Sequence, residues 1–487
     1  MMSLKKLFSE ALPDWKGVPE LPEISIAGLE CDSRKIQKDF LFFAIPGAKL
    51  DGGAFINEAL SKGAVAVIAA KPVNGPPGVP VLVVPEPREA LARMAAVFYG
   101  RPSKQMRVIG VTGTNGKTTV SFLLEHLLIS QNQNTGVFGT VSTRFAGQEI
   151  PAQETTPGPL KIQPLLFQMA EAHVRYAVME VSSHALDQHR VDGIDFEIAI
   201  FTNLTRDHLD YHKSFENYFA AKSRLFTTLS PEKFAIINAD DEWGQKLVSR
   251  TPGKVRTYGI DTDCEFRASD IEWHVDSTRF QFMIGKKKIE VESPLVGCHN
   301  VYNALAALSA VSVLGLDLKK AVADLKHFRG VPGRLERVAC EQGFLVFVDY
   351  AHTPDGLQNV LKALKPYAKK KLITVFGCGG ERDKVKRPEM GRIAAEYSDK
   401  VIITSDNPRS EDPNVIAAEI KTGVPVDFKH CVVMTDRRKA IRQALLTART
   451  GDIVLLAGKG HETTQVTHEG AFPFSDRKEA EKVLSGH

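Results

Sequence analysis

The sequence is short of cysteine, of net charge and of long apolar runs. Six cysteines (31, 264, 298, 340, 378 and 431) are scattered through 487 residues with no Cys-x-x-Cys pair. That spacing suggests neither a zinc site nor a disulfide framework, and suits a reducing cytosol. A net charge of +4 on this length makes no case for nucleic acid or a membrane surface, while leaving room for an anionic small molecule. No apolar run approaches the ~20 residues of a membrane helix. Near the N-terminus, Phe8-Ser-Glu-Ala-Leu-Pro13 is too short and interrupted for a signal-peptide core. A cytoplasmic protein is therefore expected. Repeats, low-complexity tracts and heptads are also missing, and the composition is that of globular protein. At roughly 100–200 residues per domain, two to four domains are expected.

What is present is led by Met106-Arg-Val-Ile-Gly-Val-Thr-Gly-Thr-Asn-Gly-Lys-Thr-Thr119. An apolar β-type run feeds a glycine turn, and a helical run follows with apolar residues at 120, 123, 124, 127 and 128. Strand, glycine loop, Lys-Thr and helix is a way of holding a nucleoside triphosphate. Backbone N–H groups of Gly113, Thr114, Asn115, Gly116 and the helix start (Thr118, Thr119) face the phosphates. Lys117 reaches the terminal phosphates, and the Thr118 hydroxyl reaches Mg²⁺. The strict Gly-x-x-x-x-Gly-Lys spacing is not met, since Val111 stands where the first Gly would be. A turn whose glycines only supply positive φ is the plainer alternative.

Three blocks follow from the pattern: 1–103, 104–332 and 333–487. The first has short β-like runs (24–29, 40–45, 64–70, 79–84), helical stretches at 54–61 and 88–99, and a loop rich in Pro and Gly at 72–80. The second has strands apolar on both faces, at 107–111, 176–181, 197–202 and 234–237, as in a mostly parallel sheet covered by helices on both sides. The third alternates strands at 344–349, 372–376, 400–404 and 453–457 with helices at 355–368, 389–397, 414–421 and 436–448. That is a doubly wound, Rossmann-like α/β pattern. The fold class is α/β in three domains, and Arg329-Gly-Val-Pro-Gly-Arg334 reads as the hinge before the third.

Ligands of open parallel sheets bind beyond the carboxyl ends of the strands. Here those ends open into Glu180-Val-Ser-Ser-His184, Thr202-Asn-Leu-Thr-Arg-Asp-His-Leu-Asp210, Asp349-Tyr-Ala-His-Thr-Pro-Asp355, Gly377-Cys-Gly-Gly-Glu-Arg-Asp-Lys384, Ser405-Asp-Asn-Pro-Arg409 and Gly458-Lys-Gly-His-Glu462. Each has a bland reading. Glu180 caps a helix or ligates Mg²⁺. Asp207 and His208 form a solvated loop face or a metal site. Asp406-Asn-Pro is a turn or a pocket wall, and Gly377-Cys-Gly-Gly is a phosphate loop or a tight turn. Lys222 lies in a helix-like segment (215–225), where a lysine is ordinarily exposed.

Taken together these motifs resemble the Mur ligase family, in an order that covers nearly the whole chain. The motifs are Gly-Thr-Asn-Gly-Lys-Thr118, Glu180, Asn203-Leu-Thr-Arg-Asp-His-Leu-Asp210, His299-Asn-Val-Tyr-Asn303, Pro332-Gly-Arg334 and Asp349-Tyr-Ala-His-Thr-Pro354. Asp32-Ser-Arg34, Thr155-Thr-Pro157, the run from Glu180 to Arg190 and Ala457-Gly-Lys-Gly-His-Glu462 are similar to the subgroup that adds the third residue of the peptidoglycan stem peptide. Asp406-Asn-Pro-Arg409 is similar to the signature of members that add meso-diaminopimelate.

The resemblance implies a monomeric, ATP-dependent acid–amino-acid ligase working through an acyl phosphate. In it Lys117 holds the β/γ-phosphates, and Thr118 and Glu180 hold one Mg²⁺. His208 binds a second Mg²⁺, oriented by Lys222 as a CO₂-derived carbamate. Asn300 and Asn303 face adenine, and Arg334 and Asp349 reach phosphate and ribose. It places UDP-N-acetylmuramoyl-L-alanyl-D-glutamate on Ser33, Thr155, Thr156, Ser182, Gln188 and Arg190. The amino acid falls to Arg382, Asp406, Asn407, Pro408, Arg409, Gly458 and Glu462, with Arg409 gripping the far carboxylate in a two-point contact and Glu462 pairing the far ammonium. Glu154 departs from members with Asn before Thr-Thr. Alternatives are a lysine-adding member, a folylpolyglutamate-synthetase-like ligase and a nucleotide-switch ATPase. Of these, the switch ATPase predicts ATP turnover indifferent to amino acids.

Overall fold

The computed structural model describes residues 1–13, 15, 21–47, 51–73 and 78–486. Part of the loop expected at 72–80 therefore lies outside the described residues. The chain forms two compact units interleaved in sequence: Met1–Thr112 with Asn132–Ala199 and Ala221–Phe234, and Gly113–Gln131 with Ile200–Ala220 and Ala235–His487.

In the first unit, four parallel strands lie in the order Gly28–Glu30, Phe40–Ala44, Ala64–Ala69, Val81–Val83. Alternation of buried residues fills both faces. Leu41, Phe43, Ala66 and Ile68 pack with the helices Leu4–Ala11 and Pro87–Phe98. Phe42 and Val67 pack on the other side with Ile56 and Ala59 of the helix Ile56–Ser61. The expected run at 24–29 is two strands, Ser25–Ile26 and Gly28–Glu30. A second set of strands in this unit runs Gln148–Pro151, Ser142–Phe145, Thr135–Phe138, Tyr176–Glu180, Arg107–Thr112. Its last three are parallel, and every residue of Tyr176–Glu180 is buried.

In the second unit, Lys254–Gly259 pairs in parallel with Phe266–Trp273, which leads an antiparallel meander through Thr278–Ile284 and Lys287–Ser293. Residues 333–487 carry a six-stranded sheet in the order Glu336–Val338, Leu345–Asp349, Ile453–Ala457, Leu372–Phe376, Lys400–Ile403, Cys431–Val433. Only the first strand is antiparallel. Helices Pro354–Leu364, Lys386–Tyr397 and Pro413–Lys421 cover one face, and Arg437–Thr447 and Asp476–Leu484 the other. The expected alternation is present, with two additions: the edge strand Cys431–Val433 and the hairpin Thr464–Thr467/Gly470–Pro473. Among the described residues no helix is long and apolar enough to cross a membrane.

Candidate active site

In the second unit the glycine loop opens the helix Lys117–Ser130, with Gly116 as its N-cap at φ +91°. A Cβ on Gly113 would stand 1.8 Å from Thr202 Oγ1, and one on Gly116 would stand 2.4 Å from Asn303 Oδ1. The loop backbone is thus packed against the 202–205 segment and the helix Cys298–Val313, and glycine is required for space as well as for φ. Thr202 Oγ1 donates to the Asn115 carbonyl (2.6 Å), and Asn115 N–H donates to Asn203 Oδ1 (2.9 Å). Lys117 Nζ is folded onto the carbonyls of Gly113 and Thr114, each at 2.8 Å. A cation held over its own loop, at a helix N-terminus, is an anion receptor.

Asn303 Nδ2 donates to Asn300 Oδ1 (2.9 Å), and Asn300 Nδ2 to the Val296 carbonyl (2.9 Å). Both asparagines are buried, and Asn303 stands against the phosphate loop. Arg334 Nη2 reaches Thr118 Oγ1 at 3.4 Å, and its guanidinium lies 4.4 Å from the Tyr350 ring centroid. Asp349 accepts from the amides of Leu335 (2.6 Å, Oδ2) and Ala351 (2.7 Å, Oδ1), so one oxygen braces the turn that carries Arg334 and the other the loop after its own strand. Burial raises the Asp349 carboxyl, against the pull of Arg334 and those two amides.

Asp355 is the residue the sequence reading passed over. Its Oδ2 accepts from Asn115 Nδ2 (2.7 Å) and from Thr205 Oγ1 (3.3 Å), tying residues 353–364 to the phosphate loop. Burial raises its pKa, opposed by these hydrogen bonds. As a first-turn acid of the helix Pro354–Leu364, it reads from sequence as helix-dipole complement only.

His208 has φ +53° and caps the helix Leu209–His212. Its Nε2 lies 3.3 Å from Asp207 Oδ2, and its side chain is 41% exposed, so the ring can reach a ligand. Burial pushes Asp207 up, but His208, His352 and Lys386 outweigh it and hold the carboxyl below its usual range.

The amino-acid candidates converge in the same unit. Cβ atoms on Gly377 and Gly380 would stand 2.1 Å from the Thr404 carbonyl oxygen and 1.9 Å from that of Pro408. Gly377-Cys-Gly-Gly is therefore a close-packing turn that supports the 405–409 loop. Arg409, at φ +54°, donates through Nη1 to the carbonyls of Gly380 (2.6 Å) and Asn407 (3.4 Å). Its Nε and Nη2 carry no bond among the described residues. Burial and the neighbouring Arg382 lower its pKa. Asp406 Oδ1 accepts from the Asn407 amide (2.7 Å), while Oδ2 is buried without a hydrogen-bond partner. It faces Gly458, where a Cβ would come within 2.6 Å of it.

In the first unit, Glu180 is fully buried and accepts from Thr140 N (2.9 Å) and Thr140 Oγ1 (2.8 Å). A helix-capping role is thus replaced by a fixed carboxylate at a strand end. Thr155 Oγ1 lies 3.2 Å from Thr140 Oγ1, and Thr156 Oγ1 donates to the Glu180 carbonyl (2.8 Å). Ser182 caps the helix Ser183–Asp187. Arg190 gathers Glu154, the Thr156 carbonyl (2.8 Å) and Gln188 Oε1 (2.9 Å). Glu154 thus supplies a carboxylate to Arg190. Ser33 Oγ donates to Glu58 (2.7 Å). Lys222, 1% exposed in the helix Phe215–Thr227, is no surface lysine. The cluster Glu89, His189, Asp192 has ligand atoms within 4.8 Å of one another. Arg224 Nη2 sits 2.9 Å from both His189 Nδ1 and Asp192 Oδ2, placing a guanidinium where a cation would go.

Three family descriptions match in tandem: "Mur ligase family, catalytic domain" over 25–99, "Mur ligase middle domain" over 111–311 and "Mur ligase, glutamate ligase domain" over 333–460. The chain is 45% identical over 464 residues to a UDP-N-acetylmuramoyl-L-alanyl-D-glutamate–2,6-diaminopimelate ligase of Syntrophomonas wolfei, covering 95% of each. It is 46% identical over 467 residues to a protein of the same name from Gloeobacter violaceus, covering 96% of this chain and 95% of that one. A solved structure with that name superposes with TM-score 0.71 at 35% identity, over 100% of this chain and 99% of its own. A folylpolyglutamate synthase of Mycobacterium tuberculosis, at 20% identity and TM-score 0.65 over 82% of this chain and 95% of its own, shares the fold alone. By sequence along nearly its full length and by fold, the chain belongs to the Mur ligase family.

Proposed function

We propose that this protein is the ligase that joins meso-diaminopimelate to the D-glutamate of UDP-N-acetylmuramoyl-L-alanyl-D-glutamate, consuming ATP, in peptidoglycan synthesis. The observation that carries the amino-acid assignment is the Arg409 fork, open at Nε and Nη2, together with the Glu462 carboxylate, which is 29% exposed and, among the described residues, bonded through Oε2 alone. Diaminopimelate offers a carboxylate for the first and an ammonium for the second. Lysine lacks the far carboxylate and would leave the half-buried Arg409 guanidinium unpaired.

A carboxylate is a poor electrophile toward an amine. A carboxylate oxygen of the acceptor attacks the γ-phosphorus of ATP, ADP leaves, and an acyl phosphate results. The amine then attacks the acyl carbon, phosphate leaves, and the amine's proton is released. Positioning and charge neutralisation supply most of the acceleration. Lys117 and the loop amides grip the phosphates, and Arg334 adds a second cation beside Thr118. Asp355 holds residues 353–364 on the loop, which favours exclusion of water from the acyl phosphate.

The Thr118 hydroxyl and the exposed His208 ring in the second unit are donors that suit Mg²⁺, and so, taken by itself in the first unit, is the fixed Glu180 carboxylate; the ion when bound would neutralise phosphate charge. On this reading two ions bind, and Lys222 is carbamylated to help orient the second. The block 1–103 takes the UDP-muramoyl substrate through Ser33 and, with residues 154–190, its peptide. Block 104–332 takes ATP and block 333–487 the amino acid. The enzyme acts as a cytoplasmic monomer. The test is phosphate release from ATP with the muramoyl dipeptide, compared with and without meso-diaminopimelate. Release independent of any amino acid would remove the reading.

A further inference from the structure

Lys459 is fully buried, in the loop after the strand Ile453–Ala457. Its Nζ donates to Glu462 Oε2 (2.7 Å) and to Asn407 Oδ1 (3.0 Å). Asn407 Nδ2 donates to the same Glu462 Oε2 (2.8 Å), closing a three-membered ring of hydrogen bonds. A fourth bond, from the Val466 amide to Asn407 Oδ1 (2.9 Å), anchors the ring to the hairpin.

The ring has two consequences. An amide side chain can turn either way, and only its partners decide which end is oxygen. Two donors, Lys459 and the Val466 amide, converge on one end of Asn407. That end must be the oxygen, and the NH₂ must face Glu462. Second, Glu462 Oε2 is saturated by Lys459 and Asn407, while Oε1 carries no bond among the described residues and the side chain is 29% exposed. One carboxylate oxygen is spent on the protein and the other is left facing outward.

The geometry points to Lys459 as a positioning residue for amino-acid selection: it fixes the Asn407 amide and pins Glu462 by one oxygen, so that the other is presented to the far ammonium of the incoming amino acid. This rests on the diaminopimelate reading above and adds a residue that touches no substrate. Lys459 acts through its two neighbours, so its removal should loosen recognition of the far ammonium in particular.

The test compares meso-diaminopimelate with 2-aminopimelate, which keeps both carboxylates and lacks the far amine, as acceptors for wild type, Lys459→Met and Glu462→Gln. Met fills the apolar stem's volume without the charge. The expected result is that the ratio of kcat/KM values for the two amino acids falls at least tenfold in Lys459→Met, with KM for ATP within twofold of wild type. Adding Lys459→Met to Glu462→Gln should then lower the ratio little further, because both act on one contact. A uniform loss for both amino acids, or full additivity with Glu462→Gln, would overturn the positioning role and leave Lys459 a packing element. Should Lys459→Met not fold, Lys459→Gln, which keeps one donor, should give a ratio between wild type and Glu462→Gln, and a wild-type ratio would overturn the inference. A wild type that ignores diaminopimelate would instead refute the underlying reading.

Discussion

Replacing Arg409 with Ala should cost most of the enzyme's use of diaminopimelate and little of its ATP binding. Arg409 Nη1 is committed to loop carbonyls at 2.6 and 3.4 Å, which leaves Nε and Nη2 side by side for a carboxylate. Arg409 is half-buried, and truncating one partner of a hydrogen-bonded charge pair shut from water costs about 2–5 kcal/mol, an upper range for this site. At about 1.4 kcal/mol per tenfold, kcat/KM for diaminopimelate should fall roughly 30- to 5,000-fold. The phosphate loop shares no hydrogen bond with Arg409, so the ATP dissociation constant should stay within about threefold by the additivity of distant sites. Steady-state kinetics with each substrate varied, together with nucleotide titration, separates the two. Arg409→Lys should recover only a small part, since an ammonium lacks the two-point fork. Equal losses toward ATP and diaminopimelate would refute the reasoning and make Arg409 a loop anchor.

Three further outcomes follow from particular contacts. Gly113→Ala should weaken ATP binding at least tenfold, because its Cβ would lie 1.8 Å from Thr202 Oγ1, and adding Thr202→Ala should restore only part, since φ at residue 113 is +150°; an unchanged nucleotide titration would contradict this. Asp355→Ala removes the bonds to Asn115 and Thr205 and should lower kcat by about 10- to 150-fold at ~1.5–3 kcal/mol per charge-assisted bond, with thermal melting checking that the fold persists. His461 is pushed down to about 4 by burial and by the charges of Arg334 and His352. The unfolded chain then binds more protons between about pH 4 and 6.5, so stability rises with pH across that window and is lost as pH falls through it. Between pH 7 and 5 this costs wild type about 2 kcal/mol that His461→Gln should not lose, which denaturant titrations at the two pH values would show.

Legibility of the molecule in its sequence follows burial. Strands covered on both faces, such as Leu372–Phe376 and Ile453–Ala457, are buried at every residue and stand out as apolar runs. The meander over 266–293 alternates instead, with Phe280 and Phe282 buried while Arg279 and Gln281 before each are not, and escapes a search for continuous runs. The glycine loop is legible because close approach leaves only glycine possible. Lys222 was readable only through resemblance, yet its helix carries the signal. Tyr218, Leu225 and Phe226 are buried four residues before it and three and four after, so helical spacing puts Lys222 on the apolar stripe. The hidden roles of Asp355 and Lys459 depend on partners 240 and 52 residues away, which no local pattern records.

The most direct test of the account is phosphate release from ATP and Mg²⁺ in the presence of UDP-N-acetylmuramoyl-L-alanyl-D-glutamate, with no amino acid, with lysine and with meso-diaminopimelate. The account predicts release that depends on diaminopimelate and is at least tenfold slower with lysine. Release driven by lysine would keep the ligase chemistry and contradict the Arg409 pocket. Release indifferent to all three would contradict the ligase itself.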